Sequence, residues 1–121
     1  MTGTISAIET WLTAFGWPVY GADDVPHDAA LPYITYTAKE PEYDRKTSVQ
    51  IQLWAYTKAN ADLLAKADAI CAAIGTGVRI PCAGGLVVLW PDTPQQQVLV
   101  NGNVRRVLIM AQLNAYHCPG V

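Results

Sequence analysis

The sequence predicts an α+β domain: an antiparallel or mixed β-sheet with two helices packed on one of its faces. Three observations predict it. Apolar residues recur at three- and four-residue steps in two segments and at two-residue steps in several others. The segments run helix, strands, helix, strands, an order that lays helices on a sheet rather than between parallel strands. The chain has 121 residues, 51% of them hydrophobic, enough for a single domain over 1–121 with a core that needs neither disulfide nor metal.

The first helix is expected over 4–15, with Ile5, Ile8, Leu12 and Phe15 on one stripe. Ser6 and Glu9 have capping-box spacing, Thr4 is a second candidate N-cap, and Gly16 is a stop signal. Pro18 forces extended chain, so Val19 and Tyr20 are read as a short strand. Residues 21–31 hold Asp23, Asp24, Pro26, His27 and Asp28, the composition of a solvated loop. Tyr33 to Ala38 follows as a strand, Tyr33 and Thr35 on one face, Ile34 and Tyr36 on the other. The polar stretch 40–47, with Pro41, is a connecting loop or a flexible hairpin tip, expected to be mobile in the free subunit and to order on a partner.

Ser48 to Tyr56 is the clearest strand, because Val49, Ile51 and Leu53 alternate with Gln50, Gln52 and Trp54. A second helix, capped by Asn60 or Thr57, runs to Ile74 with Leu63, Ala67, Ile70, Cys71 and Ile74 as its apolar stripe. Alanines at 61, 65, 67, 69 and 72 raise helix propensity and allow close approach to a sheet. Gly75 and Gly77 end it, and the Gly84-Gly85 pair reads as a turn. Leu86 to Leu89 is a strand, Pro91 to Gln97 a loop, and Val98 to Val100 a strand that turns at Asn101-Gly102. A long last strand runs from Val104 to about Tyr116.

Charged residues make up only 15%, against about a quarter in typical domains. So few charges leave apolar surface to be covered by a partner. The net charge is 8 − 10 = −2, which supplies no basic footprint for phosphates and so argues against nucleic-acid recognition. Charge is uneven: residues 1–60 carry seven acids and four bases, whereas after Asp92 only Arg105 and Arg106 are charged. Cys71, Cys82 and Cys118 are odd in number and match no zinc spacing, which points to a reducing compartment. Met1 to Ile5 lacks a basic signal-peptide start, and the apolar runs are strand-length, so no membrane association is expected.

No catalytic constellation emerges. His27 beside Asp24 and Asp28 has the types of a metal or acid–base site, but a loop of this composition reads first as solvated. His117 lies near a strand end, and Cys71 on a core stripe is expected to be inert. The acid pairs Asp23-Asp24 and Glu40/Glu42 lie in loops without an aromatic cradle. A phosphate loop needs a strand before and a helix after, and neither glycine pair has that context. No cofactor is expected. Arg105 and Arg106, as strand neighbours, point to opposite faces; they are either solvated or one is a partner-facing cation. Trp54 and Tyr56 either pack under a helix or form an exposed anchor.

Leu31-Pro32-Tyr33-Ile34-Thr35-Tyr36, then Val49-Gln50-Ile51-Gln52-Leu53-Trp54-Ala55-Tyr56-Thr57, then the alanine-rich helix 59–74 resemble the tail terminator or tail completion proteins of long-tailed bacteriophages. The first helix, the proline-containing loop, the hairpin and the long last strand extend the resemblance over nearly the whole chain. It implies a structural virion protein rather than an enzyme. Such a protein forms a ring, commonly six-fold, at the head-proximal end of the tail tube. Its partners are then copies of itself, the tube protein and the head–tail connector, and its place is the tail–head junction of a virion assembled in the bacterial cytoplasm. A head–tail connector or neck protein is the alternative, and a small ligand-binding or hydrolytic domain a more remote one. Asp23, Asp24, Glu40, Glu42, Asp44, Arg45, Lys46, Arg105 and Arg106 are the expected interface residues, because an acidic first half and a basic last strand offer complementary patches.

Overall fold

The computed structural model describes residues 4–38, 46–82 and 85–117. Helix α1 spans Thr4–Thr13 and α2 spans Asn60–Ile74. The strands are β1 (Val19–Gly21), β2 (Tyr33–Ala38), β3 (Lys46–Tyr56), β4 (Val78–Cys82), β5 (Gly85–Asn101) and β6 (Val104–His117). They form one sheet in the order β1-β2-β3-β6-β5-β4. Only β1 runs parallel to its neighbour; the other pairs are antiparallel, so the sheet is mixed and the fold α+β, as the pattern predicts.

Alternation along the strands builds the core. Ile34 of β2, Leu53 of β3 and Val107 of β6 lie side by side in register, as do Tyr36, Ile51 and Ile109 one step along. These residues, with Val49, Ala55, Ala111, Leu113, Val87 and Leu89, are buried on one face beneath the helices. From α2 come Leu63, Ala67, Ile70 and Ile74, and from α1 Ile8 and Leu12, all with no exposed surface. Helix α2 lies against β3, β5 and β6, while α1 touches β1 and β2 at one end of the strand order and β4 at the other. In a flat six-stranded sheet those ends would be about 24 Å apart, too far for one helix to meet both. The sheet therefore curls around its helices.

Several local expectations change. The first helix stops at Thr13, because residues 14–16 tighten into bonds three residues back, Phe15 N to Leu12 O and Gly16 N to Thr13 O. Helix α2 has no side-chain cap: a 3-10 turn at Thr57–Ala59 leads in and Ala59 occupies the N-cap position. The Asn60 side-chain oxygen is instead an acceptor for Arg105. Cys71 is only half-buried at the edge of its stripe, where its thiol meets the Gln96 side-chain oxygen at 3.6 Å. Burial, then the charge of Asp68, push that thiol's pKa up.

The sequence reading did not assign Val78–Cys82 to a strand, and Gly85 pairs with Cys82 as the first residue of β5. The expected loop at 91–97 is an irregularity within β5. Between the pairs Pro91–Ala111 and Gln96–Ile109, four residues of β5 (92–95) face one of β6, Met110. The hairpin turn sits one residue later than the Asn-Gly signal placed it. Asn101 still pairs with Val104, so Gly102 and Asn103 make the turn, with Gly102 at φ 64°.

Candidate functional site

Two features of the sheet's surface stand out. The first is its open face, opposite the helices. There Tyr33 of β2, Trp54 of β3, Arg106 of β6 and Leu99 of β5 form one cross-strand row. Tyr20 of β1 meets Tyr33 edge-on, their rings 5.8 Å apart, and Tyr33 lies 6.2 Å from Trp54 in a tilted arrangement. The Arg106 guanidinium sits 5.1 Å above the Trp54 ring and donates to the Gln52 side-chain oxygen at 2.9 Å. The Trp54 indole N–H donates to the buried Thr35 hydroxyl at 3.0 Å, which fixes the ring in the row. Ala29 and Leu31 from the loop before β2, with Val104, close a concavity of about 270 Å³ against Tyr33, Trp54 and Arg106.

The second feature is the far half of β5. Strand β4 covers its outer edge only from Gly85 to Leu89. Among the described residues no strand lies beside that edge from Gln96 to Asn101. Val98 and Val100 in this stretch are 47% and 57% exposed, and with Tyr56 at 47% they are the exposed large hydrophobic residues among those described.

The residues expected at an interface are dispersed. Asp23 and Asp24 are exposed in the turn after β1, where Asp24 N bonds Gly21 O at 2.9 Å. Arg105 faces the helix side, donating to Asn60, and Arg106 faces the open side. Both are half-buried, and no described carboxylate is brought into an ion pair with either. Lys46 begins β3 opposite Asn114, its side chain outside the described residues, as are Glu40, Glu42, Asp44 and Arg45. Of the two readings of Trp54 and Tyr56, neither residue packs under a helix; Trp54 lies half-buried in the open-face row and Tyr56 is exposed.

The sequence reading missed Tyr33, Leu31, Val98 and Val100 as surface features. The valines alternate as a buried strand would, yet they lie past the end of β4 and are exposed.

Among the described residues no group of three or more His, Cys, Asp or Glu could hold a metal ion, and His27 lies in the exposed loop. No described helix is long and apolar enough to cross a membrane. The sequence matches no family model and no curated protein. One solved structure, of a protein designated only by a sequence identifier, superposes with a TM-score of 0.61 over 94% of this chain and 91% of its own, at 12% identity. At that identity the likeness bears on fold alone.

Proposed function

We propose that this chain is a structural subunit that joins copies of itself into a ring, as the resemblance to tail terminator proteins of long-tailed phages implies. The ring, six-fold on that resemblance, ends growth of the tail tube and presents a surface to the head–tail connector. The observation that carries the reading is the edge of β5 past Leu89, beside which no strand lies among the described residues, with Val98 and Val100 exposed there. An unpaired strand edge flanked by apolar side chains invites another chain, and monomeric proteins normally blunt such edges with charge or proline. Here the stretch 96–101 carries neither. An edge of this kind meeting a different surface of the next copy is a heterologous contact, the type that closes rings. The low charge content favours the same reading, since each ring member buries surface against two neighbours.

The test is electron microscopy of tails assembled with and without the protein. Overlong tails without it are the expected result. Normal-length tails that fail to join heads would place the subunit at the neck instead, and normal tails that join heads would end the proposal.

A further inference from the structure

We infer that the concavity between Trp54 and Arg106 on the open face receives a single carboxylate side chain from a segment of another protein. This inference does not depend on ring assembly. Its basis is an arginine held in place without an anionic partner. The Arg106 guanidinium is positioned twice over, by stacking on Trp54 and by the bond to Gln52. Gln52 is neutral and occupies one of five N–H donors. Among the described residues no carboxylate reaches Arg106, and Asp28, next to the lining residue Ala29, makes no ion pair with it.

A half-buried, oriented guanidinium with free donors loses less rotamer entropy on binding a carboxylate than a free arginine does. The fork can take the two oxygens in parallel. The size of the concavity argues for a side chain rather than a whole metabolite. At about 270 Å³ it falls just under the range of small-molecule pockets, and it opens on a sheet face rather than a cleft. Its other walls, Leu31, Tyr33, Val104 and Trp54, are apolar or aromatic. They suit apolar neighbours on either side of the acid. Trp, Tyr and Arg together are also the residue types on which binding energy concentrates at protein interfaces.

Two blocked peptides test this on the free protein: one with a glutamate between two leucines, the other with glutamine in its place. The readout is the Trp54 indole N–H resonance. The glutamate peptide is expected to shift it saturably, and the glutamine peptide to bind about tenfold more weakly or not at all. Arg106→Gln should erase the difference between the peptides, and Arg106→Lys, which keeps charge but loses the fork, should retain part of it. Equal responses to both peptides, no saturable shift with either, or a difference that survives Arg106→Gln would each overturn the inference. If Arg106→Gln does not fold, the comparison on the unmodified protein decides alone.

Discussion

Tyr36 shows how one side chain ties a helix to the sheet. Its ring is buried in the core and its hydroxyl donates to the Glu9 carboxylate of α1 at 2.6 Å. Burial, then the bond to Glu9 and the negative charges of Glu9 and Asp24, raise the phenol's pKa well above its ordinary 10. The fold thus prefers the neutral phenol. That contribution is whole below pH 10 and is lost as pH climbs from there through the raised folded value. Tyr36→Phe should cost about 1–2 kcal/mol at neutral pH, the worth of a hydrogen bond to a partly exposed charged acceptor. Urea unfolding of both proteins up to about pH 11 should show the parent losing stability more steeply; parallel curves would count against the assignment. Arg105 offers a second case. Its guanidinium donates to Asn60, while its Nε is buried without a partner. Asn60→Ala should cost about 1 kcal/mol or more, because it strands a further donor. Asn60→Ala combined with Arg105→Met should be less destabilised than Asn60→Ala alone, because the donors leave with their side chain. A double variant less stable than the single would refute this.

At the scale of elements, the parts that could be read from sequence are those whose burial is one-sided and local. α2 is legible almost to the residue, because Leu63, Ala67, Ile70 and Ile74 share one stripe. β3 is legible through its alternating Ile51 and Leu53 except at its start, where Lys46 and Thr47, expected in the 40–47 loop, already belong to the strand. β4 is not legible in the sequence pattern, and the middle of β5 reads as a loop because Pro91 and Pro94 look like breaks. Both prolines lie beyond the cover of β4, where a missing N–H costs no bond to an outer neighbour. The open-face row escaped for another reason. Trp54 and Arg106 each drew notice, but only the register of β3 on β6 sets them side by side, and neither segment's own pattern contains that register. The turns offer a comparison between two glycines. At Gly102, φ 64°, a Cβ would meet nothing within 4 Å, so Gly102→Ala should cost only the left-handed backbone strain, about 1 kcal/mol. At Gly77, φ 150°, a Cβ would lie 2.9 Å from two atoms of the Trp90 ring, so Gly77→Ala should cost clearly more. Thermal unfolding of the two variants checks the order, and the reverse order would show that the Trp90 ring yields freely.

For the molecule as a whole, the curl of the sheet decides which surfaces remain for partners. By touching β1, β2 and β4, α1 draws the two ends of the strand order toward each other. The far half of β5, past the end of β4, then stands apart as an edge with no strand beside it among the described residues. If that edge drives self-assembly, changes at Val98 and Val100 should act on association and not on folding. Val98 sits opposite buried Val107 and Val100 opposite Arg105, so the substitutions are chosen to suit each neighbour. Val98→Lys places a charge on the edge, the device by which natural edge strands resist pairing. Val100→Gln adds polarity without setting a second cation against Arg105. Both valines are about half exposed, so the double variant should keep its unfolding free energy within about 0.5–1 kcal/mol of the parent. Its association should weaken by at least about tenfold, a loss of ~1.4 kcal/mol per contact. Sedimentation of both proteins across a concentration series, beside denaturant unfolding of each, separates the two effects. A double variant that associates as the parent does would remove the β5 edge from the assembly contact, and one that unfolds early would show that the valines serve the core instead.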